Sequence, residues 1–182
     1  MDHNLLLDLA RLTIKDELYG TSSIDTLALE RDNSFLSEIR SSFVTLTLDD
    51  RLRGCIGSLL PQRKLLDDIT NNAKAAAFQD YRFQPLSKQE FECVEIEISL
   101  LTLPKVLIYD SIEELKEKIR PGIDGVILKK DHNKATFLPQ VWEQLPSFEL
   151  FFEHLCQKAG LCSDCLKQVP EIQIYQVEKI KR

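Results

Sequence analysis

A single cysteine, Cys55, sits among two arginines and two glycines in the run Asp50-Arg51-Leu52-Arg53-Gly54-Cys55-Ile56-Gly57-Ser58-Leu59. The thiolate is the reactive form of cysteine, and neighbouring positive charge favours it. Two guanidiniums offer forked donor pairs that suit a carboxylate or a phosphate. Gly54 and Gly57 leave room for a backbone or a ligand to approach closely. These residue types point to attack by Cys55 on an anionic or acyl-type substrate held by Arg51 and Arg53. The competing reading is structural: free cysteine is among the most buried residue types and fills crowded strand positions well.

A cysteine nucleophile needs a base, most often histidine. The chain has three: His3 near the start, His132 in a polar turn and His154 in the middle of a helical segment. Each is read more simply as a structural or solvated histidine, so the substitutes are carboxylates: Asp80 and the glutamates of the 93–103 segment. Arg82 joins Arg51 and Arg53 as a candidate anion ligand, and the alternative for all three is surface solvation with pairing to Asp49, Asp50 or Asp80. Thr136 and Gln140 add neutral hydrogen-bonding groups.

The elements that must position these groups follow from periodicity. The run 43–48 is β-branched and apolar, and Asp49-Asp50 supplies turn chemistry, so the cysteine lies on the second strand of a hairpin. Regular alternation places Leu52 and Ile56 on the core face and Arg51, Arg53, Cys55 and Gly57 on the other. Helices are predicted over 4–18, with Leu5, Leu9 and Leu12 at helical spacing and Gly20 as cap, and over 64–79, with Leu65, Ile69, Ala73 and Ala76 on one face. Ser87 and Glu90 resemble a capping box. A half-exposed strand is predicted over 93–103, a capped helix over 112–119, and a second hairpin from strands at 125–129 and 135–138. A helix over 148–159 and a last strand over 171–177 complete the pattern. Tight hairpins interspersed with helices indicate an α+β fold, mainly an antiparallel sheet flanked by helices.

Length, charge and cysteine usage bound the function. The 182 residues suit one domain, with or without a subdomain. A formal charge of −6 disfavours broad binding to nucleic acid or anionic membrane. No apolar run approaches the roughly 20 residues of a membrane span, and no secretory pattern opens the chain. Five cysteines without such a pattern are expected as free thiols in a reducing cytoplasm, with no disulfide. Cys162 and Cys165 supply only two ligands, and His154 and Cys156 lie about 200° apart on a helix, so no metal site is expected. No phosphate-binding loop or dinucleotide fingerprint is present, and no cofactor is expected.

Several segments together carry a resemblance. Leu52-Arg53-Gly54-Cys55-Ile56-Gly57 looks like the signature hexapeptide of the AMMECR1 family. Phe43-Val44-Thr45-Leu46, Asp80-Tyr81-Arg82-Phe83-Gln84-Pro85-Leu86, Phe137-Leu138-Pro139-Gln140-Val141 and Lys158-Ala159-Gly160-Leu161 agree in order. The resemblance spans nearly the whole chain, although the Cys162–Cys165 pair departs from the family pattern. It implies a single AMMECR1-like domain over 1–182, its sheet made from both chain ends with a smaller inserted lobe. The family's activity is not settled. Prokaryotic members resemble the A component of an AmmeMemoRadiSam set, alongside a Memo-like protein and a radical SAM protein, which implies those two as partners in a modification pathway. Three functions are therefore compatible with the sequence: a cysteine-containing substrate site, a non-catalytic protein- or ligand-binding module, and an RNA-related accessory role.

Overall fold

Asp49 and Asp50 both take left-handed backbone conformations, with φ of 49° and 59°. Short polar side chains such as aspartate tolerate that region, and two such residues in succession close the tightest kind of hairpin. In the computed structural model, which describes residues 2–182, this turn joins β1 (Ser42–Leu48) to β2 (Arg51–Gly57).

Before the hairpin come α1 (His3–Tyr19) and the short α2 (Thr26–Asp32); after it come α3 (Leu65–Phe78), α4 (Lys88–Cys93) and β3 (Glu95–Leu101). The chain continues through β4 (Lys105–Leu107), α5 (Ile112–Lys118), β5 (Gly125–Lys130) and β6 (Asn133–Phe137). It ends with α6 (Val141–Gln144), α7 (Phe148–Lys158), β7 (Glu171–Tyr175) and β8 (Val177–Ile180). The strands form two four-stranded sheets, ordered β2-β1-β3-β8 and β4-β7-β5-β6. The architecture is α+β. The chain divides into two compact units, one running to Leu101 and including Glu178–Arg182, the other Thr102–Val177.

In the first unit, α1 and α3 supply the apolar cover of the sheet. Asp2 caps α1 by accepting from the amides of Asn4 and Leu5, and Gly20 ends it in the left-handed region at φ 66°. The helix buries Leu6, Leu9, Ala10 and Ile14, whereas Leu12 is 41% exposed, so its inward stripe is rotated from the one predicted. On α3 the inward residues include Ile69, Ala73, Ala76 and Ala77. Their small size brings the helix close to β2: a Cβ on Gly54 would lie 2.2 Å from the carbonyl oxygen of Ala76. The same helix buries Asp68 and Asn72. Asp68 accepts hydrogen bonds from the Ser42 amide and hydroxyl, each at 2.7 Å, from the Ser58 hydroxyl at 2.7 Å and from Asn72 at 2.9 Å. That satisfied polar cluster ties the start of β1 and the residue after β2 to α3.

The second unit packs α5, α6 and α7 with its own sheet around Val126, Leu128, Phe151, Leu155 and Ile172. Trp142 stacks on Phe151 with ring centroids 3.6 Å apart. Its indole N–H donates to the Asp124 carbonyl at 3.0 Å, satisfying the polar end of a buried ring.

Three expectations change. The strand predicted over 171–177 is two strands in different sheets. At the break, the Thr102 amide donates to the Gln176 carbonyl at 2.9 Å, and the Gln176 amide turns to the Thr102 hydroxyl, also at 2.9 Å. A side chain there takes the place of a ladder carbonyl. Leu52, expected in the core, is 44% exposed. Cys156 and Cys165 form a disulfide where free thiols were expected; both are buried, and the chain reversal after α7 brings them together. Cys55, Cys93 and Cys162 are free.

Candidate functional site

Leu46 pairs with Gly54 and Thr47 pairs with Leu52, so Arg53 is an extra residue in β2, a β-bulge. The bulge breaks the alternation that the sequence suggested. Beyond it, Cys55 lies opposite Thr45 and Gly57 opposite Phe43. Before it, Leu52 is turned out of the core. Ile56 still packs against the core cluster, and Gly54 is buried beneath α3.

β2 is an edge strand, and its outer side at Cys55 is closed by the 80–86 segment. The Cys55 amide donates to Asp80 Oδ2 at 2.9 Å. Arg82 donates to both Asp80 oxygens, at 2.9 and 2.6 Å, and also to the Cys55 carbonyl at 3.3 Å. One ion pair thus satisfies both backbone groups of Cys55, which blocks pairing by another strand. Asp80 is 4% exposed. The Arg82 hydrogen bonds, with the amides of Cys55 and Arg82, hold its carboxyl well below the usual range against the opposing effect of burial.

The second arginine is engaged in the same way. Arg53 forks onto Glu90, Nε to Oε1 at 2.8 Å and Nη2 to Oε2 at 3.1 Å, and Nη2 also donates to the Gln84 carbonyl at 2.9 Å. Glu90 in turn completes the capping box of α4 with Ser87. Arg53 first, and then the Ser87 amide, lower the Glu90 carboxyl to about 2. The Arg53 and Arg82 guanidiniums lie 5.8 and 5.5 Å from the Phe83 ring centroid. Of the three arginines expected to hold an anion, Arg53 and Arg82 thus make paired bonds to Glu90 and Asp80. Arg51 is exposed.

The thiol itself is half-buried. Among the described residues its one hydrogen-bond partner is Thr45, whose hydroxyl donates to Sγ at 3.3 Å. Thr45 lies directly opposite Glu97 on its other side, and Glu97 is 3.8 Å from Lys179 of β8. Cys55, Thr45, Glu97 and Lys179 thus form a polar row across all four strands. Glu97 was visible in the sequence only as one of the glutamates of an alternating strand; the β1–β3 register singles it out. Beside this row, a cavity of about 390 Å³ is lined by Thr45, Thr47, Glu95, Glu97, Arg11 and Lys181, among others. Thr45 is common to the cavity and to the thiol, whereas Cys55 does not line it.

Thr136 and Gln140 lie in the second unit. Thr136 is buried, its hydroxyl 3.1 Å from the Tyr175 hydroxyl and its carbonyl accepting from Lys158 at 3.0 Å. Gln140 is exposed and precedes α6 without a side-chain cap bond. His3 meets Glu178 at 3.1 Å, while His132 and His154 are exposed. Among the described residues no group of three or more His, Cys, Asp and Glu side chains is placed to hold a metal ion, and no helix is long and apolar enough to cross a membrane.

Two four-stranded sheets with packed helices, and an edge strand that carries a braced cysteine, define the class as an α+β protein. The chain belongs to the AMMECR1 family, whose model matches residues 7–180. It is 34% identical over 179 residues to a protein of Methanothermobacter thermautotrophicus, covering 95% of this chain and 89% of the relative. A protein of Nanoarchaeum equitans is 34% identical over 174 residues, covering 94% and 96%. The crystal structure of an uncharacterised protein from Pyrococcus horikoshii superimposes with a TM-score of 0.79 at 32% identity, covering 96% of this chain and 88% of that one.

Proposed function

We propose that the protein is a non-catalytic binding module, whose ligand seat is the cavity beside the Cys55–Thr45–Glu97 row. One observation carries this reading. The groups that would activate Cys55 or hold an anion for it are turned onto protein partners: Asp80 onto Arg82 and the Cys55 amide, Arg53 onto Glu90 through Nε and Nη2. What remains open is a concave site with both carboxylates and cations in its lining, which suits a small polar ligand of mixed charge or a side chain of a bound protein. The family context supports placing this module in a modification pathway with a Memo-like and a radical SAM protein as partners. The acidic balance of the chain speaks against autonomous RNA binding.

A second reading rests on the Thr45 hydroxyl. A donor 3.3 Å from Sγ is placed to steady a thiolate, so Cys55 acting as a nucleophile on an acyl-type ligand in the cavity is the alternative. Peptide-resolved alkylation separates the two, since trypsin isolates Cys55 in the segment 54–63, away from Cys93 and Cys162. The binding reading expects Cys55 to react with iodoacetamide no faster than a model thiol and with the ordinary steep rise in rate towards alkaline pH. Fast labelling that stays level from about pH 5 to about pH 8 would show an activated nucleophile and overturn it.

A further inference from the structure

Cys162 is exposed and free, and it stands three residues before a cysteine held in a buried disulfide. The geometry around it is specific. Gly160 turns the chain at φ 75° after α7, and the Leu161 amide donates to the Cys156 carbonyl at 2.9 Å, folding the segment back over the last turn of the helix. The Cys165 amide then donates to the Cys162 carbonyl at 3.0 Å. A turn of that kind holds its first and fourth Cα atoms within about 7 Å, which overlaps the separation a disulfide accepts. The turn therefore holds the Cα atoms of Cys162 and Cys165 within the span a disulfide accepts, while Cys165 is bonded to the buried Cys156 and Cys162 is exposed.

We propose that Cys162 is the entry thiol of a thiol–disulfide exchange site, with an external dithiol as its co-reactant. Cys156 and Cys165 are 0% and 1% exposed, so a reductant in solution has no direct path to their bond. The Cys162 thiolate attacks Cys165 Sγ; the Cys162–Cys165 bond forms, the Cys156–Cys165 bond breaks, and Cys156 leaves as a thiolate that takes up a proton. No net oxidation occurs in this step. The new disulfide lies at the surface. One thiolate of the dithiol attacks it, the second closes on the mixed disulfide, and the products are two cysteine thiols and the oxidised dithiol. Run in reverse, the same steps load an oxidising equivalent from a surface disulfide into the buried pair. The consequence for the fold is local: the 3-10 turn Cys165–Gln168 is covalently tied to α7 in one state and released from it in the other.

The native, oxidised protein tests this with dithiothreitol as the dithiol, in rapid acid quench at intervals followed by alkylation. Trypsin cuts after Lys134, Lys158 and Lys167, so the starting disulfide cross-links peptides 135–158 and 159–167, whereas the exchanged bond is internal to 159–167. With dithiothreitol limiting at about pH 8, the internal bond is expected as a transient species in the unaltered protein. Cys162→Ser, a change at an exposed position, is expected to slow loss of the cross-link by about tenfold or more in the folded protein while leaving the rate in denaturant unchanged. Absence of the internal bond at every quench time, or equal native rates for the two proteins, would overturn the proposal.

Discussion

The carboxylate of Asp80 accepts the amide hydrogen of Cys55 at 2.9 Å, across 25 residues of sequence, and the arginine two positions later returns a bond to the Cys55 carbonyl. A side-chain ion pair here takes the place of a neighbouring strand. It satisfies the open edge of β2 at its cysteine, and it holds that residue's backbone fixed independently of any ligand.

Replacing Asp80 with Asn keeps an acceptor for the amide but removes the charge that Arg82 grips with two donors. Arg82 is 43% exposed, so water takes over part of its solvation and moderates the loss. The expected cost is about 2 kcal/mol, which in a chain of this size lowers the melting temperature by roughly 4–8 °C. Hydrogen exchange at the Cys55 amide should quicken in the variant. Unchanged exchange at that amide would show that the brace is not what protects it.

Acid stability should carry the signature of two carboxyls. Glu90 titrates at about 2 in the folded protein and Asp80 is also held well below the usual range. The unfolded chain therefore binds more protons than the folded one through the acid range, and stability must fall as pH drops. Both contributions are complete above the ordinary carboxylate value of about 4 and are lost progressively below it. Urea midpoints measured from about pH 6 down to about pH 2 should decline less steeply in Asp80→Asn and Glu90→Gln than in the unaltered protein.

Two glycines make opposite demands. Ala at Gly54 would press a methyl group to 2.2 Å from the Ala76 carbonyl oxygen, which is backbone and cannot swing aside. Separating α3 from β2 should cost about 3 kcal/mol, seen as a lowered urea midpoint. Gly122 sits at φ 78°, and a methyl group there would meet nothing within 4 Å, so Ala should cost only the backbone strain, about 1 kcal/mol. Equal losses at the two positions would contradict the close helix–strand contact.

The sequence by itself determined the longer helices, the two hairpins, the Ser87–Glu90 cap and the α+β class, because those depend on side-chain periodicity and local backbone preference. It also singled out Cys55, its flanking arginines and the 80–86 segment that closes over them. It did not determine how they are used. The bulge at Arg53 depends on pairing with β1 and reorders the faces of β2, which no period-two pattern anticipates. Arg53 found its carboxylate 37 residues away in Glu90, whereas the Arg82–Asp80 pair, two residues apart, was already among the alternatives open in the sequence. The register of β1 against β3 placed Glu97 in the row of Cys55 and Thr45, and the chain reversal after α7 joined Cys165 to Cys156 while a turn ties its amide to the Cys162 carbonyl. Such long-range partners are chosen by burial and hydrogen-bond satisfaction in the folded chain, and a reading of local pattern has no access to that competition.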